Sequence, residues 1–342
     1  LRAIKTRVDG ILSTMDDLFS SAYSKFGRPS VPPERLLKAL LLMALYSVRS
    51  ERQLAERIDT DLLFRWFLDM NPEEAAFDAT VLTHNRPRME EHGIISAFFD
   101  GVLREAVAGD LCSDDHFTVD GTMIESMASM KSFRPRDESG DDSQGSNGFK
   151  PRNPDVDFKG QKRSNETHQS RTDPEAKLYR KGPGKPSQLS HLGHILTENR
   201  NGLIVEAIVT EANGKAECEA ALAMADRFKA KHGKSPTTLG ADKGYDNGPI
   251  LIELETRKIE PHIAMTNKTP ADPETSAKKR RPGIKARLRM KERKKVEECF
   301  GWLKTIAGLD RSRWPERWKL KQQFELGCAA YNLVRLRKLL PT

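Results

Sequence analysis

His191-Leu-Gly-His-Ile-Leu-Thr-Glu-Asn-Arg-Asn-Gly202-Leu-Ile-Val-Glu-Ala-Ile-Val209 reads as a β-hairpin. Two apolar runs flank Asn199-Arg-Asn-Gly202, and the Asn-Gly step supplies the positive φ that a strand-to-strand turn needs. Upstream, His116-Phe-Thr-Val-Asp120 is strand-like, with Asp120 closing the run before Gly121. Downstream, 215–231 has the period of an amphipathic helix, and Thr237-Thr-Leu-Gly-Ala-Asp242 is a short strand ending in a second carboxylate. A helix over 249–257 and a strand over Ile259-Glu-Pro-His-Ile-Ala264 follow. The order strand, hairpin, helix, strand, helix, strand, helix predicts an α/β core. In such sheets ligand sites gather at the carboxyl ends of strands.

The last helix of that series is Arg293-Lys-Lys-Val-Glu297-Glu-Cys-Phe-Gly-Trp-Leu-Lys304. At about 100° per residue, Arg293, Glu297 and Lys304 fall within roughly 40° of one another. One face then carries a carboxylate between two cations, able to hold a metal ion and phosphate. A solvated salt-bridge face is the alternative. Asp120, Asp242 and Glu297 together offer the hard oxygen donors that two Mg²⁺ ions need, roughly 3.5–4 Å apart. Each aspartate alone is also what a turn would use.

The first hundred residues read as helices. Pro32-Pro33 opens one through Leu36, Leu37, Leu40, Leu41 and Ala44 to Val48, apolar nearly all round and so buried. Ser50 with Gln53 is a capping-box pattern. Asp59 is read as the cap of a helix holding Leu62, Leu63, Phe64, Trp66 and Phe67, and Asp78 as the cap of another, with Pro87 as a kink or stop. Ile94 to Val107 is a further amphipathic helix. These short helices fit either a helix-turn-helix with Arg86 and Arg88 near DNA or a plain packing or dimerisation domain. Residues 134–187 are polar, rich in Gly, Pro, Ser and charge, and read as a mobile insertion.

Of the 342 residues, 37% are hydrophobic and 31% charged, and the net charge is +8, which favours a polyanionic partner. Residues 278–295 hold eleven Lys or Arg against Glu292, and Arg289 and Lys294 are candidates for phosphate contact, as is Lys243 beside Asp242. Arg311, Arg313, Trp314, Arg317 and Trp318 interleave rings with charge, for base stacking or for core packing. His116, His191, His194 and His262 lie in or beside strands and are read as structural. The four cysteines are scattered with no CxxC pair, against zinc and against a disulfide framework. The run Leu36–Val48 is too short to span a bilayer. A cytoplasmic, nucleoid-associated protein is the expectation. Leu326 to Leu340 reads as a core or dimer helix.

Several segments together resemble the bacterial transposases of the insertion sequence 5 family, within the group related to insertion sequence 4. They include Leu45-Tyr-Ser-Val-Arg-Ser-Glu-Arg-Gln-Leu54, Leu63-Phe-Arg-Trp-Phe67, Asp115-His-Phe-Thr-Val-Asp-Gly-Thr122 and Arg163-Ser-Asn-Glu-Thr-His168. Further along are Glu198-Asn-Arg-Asn-Gly-Leu203, Ala241-Asp-Lys-Gly-Tyr-Asp246, Val296-Glu-Glu-Cys-Phe-Gly-Trp-Leu-Lys304 and Ala330-Tyr-Asn-Leu-Val-Arg335.

The resemblance implies a ribonuclease-H-like DDE core in which Asp120, Asp242 and Glu297 are the catalytic, metal-holding acids. The family's Tyr-x₂-Arg-x₃-Glu-x₆-Lys motif fits Arg293, Glu297 and Lys304, with Met290 in the Tyr position. It implies two Mg²⁺ ions, with Mn²⁺ as a substitute, and double-stranded DNA as partner, both terminal inverted repeats and target. It also implies a homodimer or larger synaptic complex, and some residues ahead of Leu1. The expected division is a helical end-binding or dimerisation domain over 1–112, a catalytic domain over 113–310 with its 134–187 insertion, and a helical extension over 311–342. The expected function is cleavage at element ends and strand transfer. The alternatives are an inactive, DNA-binding repressor copy and a metal-dependent nuclease without strand transfer.

Overall fold

The computed structural model describes residues 1–23, 30–136, 163–182, 184–263 and 294–340. Seven helices come first: α1 (Arg2–Ser13), α2 (Asp16–Ala22), α3 (Pro33–Leu45), α4 (Glu51–Thr60), α5 (Leu62–Phe67), α6 (Ala79–Glu91) and α7 (Ile94–Ala108). Their starts follow local capping chemistry. Ser50 Oγ accepts from the Gln53 amide at 3.1 Å, while the Gln53 side chain takes the Arg49 amide rather than that of Ser50. Asp78 accepts from the Thr80 amide at 2.8 Å. Asp61, not Asp59, caps α5, because Asp59 is still inside α4 and Asp61 Oδ1 takes the Leu63 amide at 2.8 Å. Pro87 does not stop α6, which runs on to Glu91.

The sheet comprises β1 (His116–Glu125), β4 (Lys177–Tyr179), β5 (Gln188–Glu198), β6 (Leu203–Glu211), β7 (Thr238–Ala241) and β8 (Glu260–Ile263). The short β2 (Phe133–Pro135) and β3 (His168–Ser170) pair apart from it. Along the main path the order is β6-β5-β1-β7-β8, with β1 antiparallel to β5 and parallel to β7, and β7 parallel to β8. This is the ribonuclease-H-like arrangement. The expected hairpin is β5–β6, and Gly202 in its turn has φ +68°. Glu198 holds the turn by accepting from the amides of Arg200 and Asn201 at 2.6 and 2.9 Å.

Helix α8 (Ala216–His232) covers one face, where Phe228 meets Phe117 of β1 at 4.9 Å between ring centres. Helices α10 (Lys294–Thr305) and α11 (Arg317–Leu339) cover the other, and α9 (Gly248–Thr256) links β7 to β8. Helix α11 also packs on α3, α7 and α1, so the N-terminal helices and the sheet share one apolar core. Fully buried side chains such as Leu36, Leu41, Phe98, Phe117 and Phe324 each contribute on the order of 1.5–3 kcal/mol to it.

Three expectations change here. Strand β1 does not end at Asp120, because Gly121 pairs with His194 and pairing continues to Glu125. Residues 163–182 of the supposed mobile insertion carry structure: β3 pairs with β2, β4 pairs with β5, and Phe133, Ala176 and Leu189 form a small core. Residues 137–162 lie outside the described residues. Arg86 is not presented to DNA. It is buried, donates to Glu51 at 2.7 Å and lies 4.0 Å over the Trp314 ring.

The histidines do have structural partners. His191 and Ser126 both bond the buried Asp173, at 2.9 and 2.6 Å, and His194 bonds Thr210 at 2.8 Å. Of the ring-and-charge stretch, Arg313 donates to the Ala307 carbonyl, Arg317 pairs with Glu175 and Trp314 lies under Arg86.

Candidate active site

Asp120 and Asp242 come together through the register of two parallel strands. β1 and β7 pair His116 with Thr238, Phe117 with Leu239 and Thr118 with Gly240. Continued by two residues, that register sets Asp120 opposite Asp242 on the same face. Strand β7 stops there because Asp242 turns the chain. Its Oδ1 accepts from the Gly244 amide at 2.7 Å and opens a short 3₁₀ turn, Lys243–Tyr245. Asp120 Oδ1 accepts from the Gly121 amide at 2.8 Å.

Helix α10 lies on the same face of the sheet as the two aspartates. Its apolar stripe, Val296, Cys299, Phe300 and Leu303, is buried against β1 and β5. Cys299 sits beside Thr197, whose strand partner Thr118 is two residues before Asp120. Lys295 Nζ donates to the carbonyls of Asn199 and Arg200 and ties the start of α10 to the hairpin turn.

A flanking stripe, about 120° round the helix, holds Glu297, Gly301 and the half-buried Lys304. Glu297 is exposed, and a Cβ on Gly301 would meet nothing within 4 Å, so the stripe opens to solvent. Glu297 stands in the first turn, where the helix dipole favours a carboxylate. Burial and then Lys181 lower the Lys304 pKa, with Asp310 opposing.

The sequence did not single out Glu217, in the first turn of α8. Burial and then the carboxylates of Asp242 and Asp120 raise its pKa, with Lys181 opposing. Lys181 thus acts on both Glu217 and Lys304. The signal available was topological. The hairpin returns β6 to the end of the sheet where β1 carries Asp120, so the first turn of α8 must start there.

Of the other candidates, Lys243 and Lys294 are exposed, and Arg289 and Arg293 lie outside the described residues, as do Met290 and most of the basic tract. A cavity of about 490 Å³ lined by Asp100, Arg104, Lys231 and His232 sits at the far end of α8, about 20 Å from Glu217 at 1.5 Å per residue. It has no part in this site.

Crowded carboxylates with hard oxygen atoms suit a divalent cation such as Mg²⁺ or Mn²⁺. Burial comes first in raising the Glu217 pKa, and the repulsion from Asp242 and Asp120 that adds to it is what such a cation would relieve. Among the described residues no three of His, Cys, Asp and Glu already stand together as a metal cage. The donors fit the cation in chemistry and are neighbours rather than a closed site.

Residues 1–88 match a transposase domain (DUF772), and residues 163–333, half of the chain, match the transposase DDE domain. No curated protein matches the sequence. Among solved structures, the piggyBac transposase synaptic complex with hairpin DNA is 11% identical, with a TM-score of 0.44, covering 97% of this chain and 72% of that one. The Mos1 transposase paired-end complex is 12% identical, with a TM-score of 0.23, covering 91% and 82%. Among the described residues no helix is long and apolar enough to cross a membrane. The family follows from the two sequence matches, the second of which contains Asp242, Glu297 and Lys304. The chain belongs to the DDE transposases, enzymes that cleave DNA and transfer its strands with the help of a divalent metal.

Proposed function

We propose that this transposase cuts at the terminal inverted repeats of its own element and joins the freed 3′-hydroxyl to target DNA, with Asp120, Asp242 and Glu297 as its metal-holding acids. The observation that supports this reading is the β1–β7 register, Thr118 opposite Gly240, which continued by two residues brings Asp120 level with Asp242. Two Mg²⁺ ions, replaceable by Mn²⁺, would activate the attacking water or 3′-hydroxyl and stabilise the leaving oxygen. Asp120 and Asp242 hold the site from the strands, and Glu297 closes it from α10. Lys304, Lys294 and Lys243, with Arg289 and Arg293, bind and orient the phosphates on either side.

Two DNA ends have to meet, which calls for a homodimer or larger synaptic assembly. We assign end binding or dimerisation to residues 1–112, catalysis to 113–310 and core support to 311–342, in the bacterial cytoplasm at the nucleoid.

The test is cleavage of a DNA fragment carrying the element's terminal repeat, with Mg²⁺ or EDTA, by wild type and Asp242→Asn. Metal-dependent nicking at the repeat boundary, absent from the variant, is the expected result. Nicking that survives in the variant would overturn the assignment.

A further inference from the structure

Glu217 approaches the two aspartates from the side of the sheet opposite Glu297. A Cβ built on Gly121 would lie 3.2 Å from Glu217 Oε1 and 3.0 Å from His194 Nδ1. A Cβ on Gly244 would lie 2.9 Å from Asp242 Oδ1 and 3.8 Å from Glu217 Oε2. The glycines after Asp120 and Asp242 therefore leave the space into which the Glu217 carboxylate reaches. A side chain at Gly121 would crowd the Glu217 carboxylate, and one at Gly244 would crowd that of Asp242. Glu217 is placed there by the start of α8, where Asn213 Oδ1 accepts from the amides of Lys215 and Ala216, both at 2.8 Å.

Two buried polar atoms around this carboxylate lack a hydrogen-bond partner among the described residues. One is the hydroxyl of Tyr245, which is 1% exposed. The other is Nδ1 of His194, whose Nε2 is taken by Thr210. Tyr245 feels the acids: after burial, the charges of Glu217, Asp120 and Asp242 raise its pKa well above the ordinary value. An orphaned buried hydroxyl is destabilising unless something completes it. A hydrated cation among these carboxylates would do so, since its bound water can take the Tyr245 hydroxyl as donor or acceptor.

We propose that Glu217 is a fourth carboxylate of the metal-binding centre, acting on the divalent cation of Asp120 and Asp242 from the α8 side, with Tyr245 holding that cation's water. The inference rests on the two-aspartate reading above. It adds a donor from outside the strand and α10 positions. Tyr245 is a positioning residue, acting through the bound water.

The test is direct titration of the full chain with Mn²⁺ alone, without DNA, followed by calorimetry, alongside circular dichroism to confirm the fold. Glu217→Gln keeps the shape and removes the charge, and should weaken Mn²⁺ binding about 10–100-fold. Glu217→Asp should fall between it and wild type. Tyr245→Phe should bind Mn²⁺ more weakly, and should shift the metal concentration needed for nicking upward. Unchanged Mn²⁺ affinity in a folded Glu217→Gln protein overturns the proposal, whatever Asp242→Asn does. Weakened binding in Asp242→Asn beside unchanged binding in Glu217→Gln overturns the proposal alone, whereas unchanged affinity in Asp242→Asn overturns the two-aspartate reading and the proposal with it.

Discussion

Asn332 of α11 binds both backbone groups of Ile204 in β6: its Nδ2 donates to the Ile204 carbonyl at 2.7 Å and its Oδ1 accepts from the Ile204 amide at 2.9 Å. Among the described residues β6 pairs only with β5, so its outer edge would otherwise leave buried polar groups unmet. A side-chain amide stands in for the missing strand. Arg335, one turn on, donates to the Asn201 carbonyl in the adjoining hairpin turn.

Asn332→Leu should therefore strand two buried backbone groups at about 1–3 kcal/mol each. We expect a loss of about 2–5 kcal/mol, read as a lower denaturant midpoint with an unchanged slope. A midpoint within error of wild type would show that β6 needs no clasp.

Arg86 and Glu51 form a buried pair, and removing one partner leaves the other charge unmet. Arg86→Met should cost about 3–5 kcal/mol, and adding Glu51→Leu should restore a large part of it. The salt dependence of DNA binding by the folded protein should stay as in wild type. A flatter dependence in Arg86→Met would return Arg86 to the DNA surface.

His194 carries a pH dependence. Burial lowers its pKa from 6.5 to about 4 in the fold. The neutral ring is favoured when folded, so this stability is fully present above pH 6.5 and is lost as pH falls toward 4. The swing is about 3 kcal/mol. His194→Gln should flatten the stability curve across that window, measured by urea unfolding at successive pH values. An equally steep curve would mean that other groups set it.

Glu297→Gln should abolish cleavage and leave binding to element ends intact. Lys304→Ala should weaken binding and reduce the salt slope by about 1. Filter or gel-shift binding across a salt series separates the two effects. Cleavage retained in Glu297→Gln would remove Glu297 from the chemistry.

The hairpin, the α8 and α10 helices and the end of β7 at Asp242 were legible because each has a local cause: an Asn-Gly turn, an apolar period, a short apolar run. What stayed hidden depends on pairing. Gly121 looked like a strand terminus, yet β5 lies alongside and carries the strand four residues further. Residues 163–182 looked too polar to order, but β5 and β2 lend them partners that composition does not reveal. Arg86 looked like a surface cation because its counter-charge, Glu51, is 35 residues away on another helix. Glu217 was invisible for the same reason. Nothing near it in the chain is catalytic, and only the return of β6 places it beside Asp120.

Helix α11 packs between the N-terminal helices and the sheet, and is synthesised after every other described element. On the ribosome, the first seven helices and the sheet must wait for it before either can bury its inner face. A message cut short before Arg317 would yield a chain with two half-made surfaces and no folded fragment to release. An element that loses its 3′ end should thus leave behind material for proteases rather than a competing partial transposase.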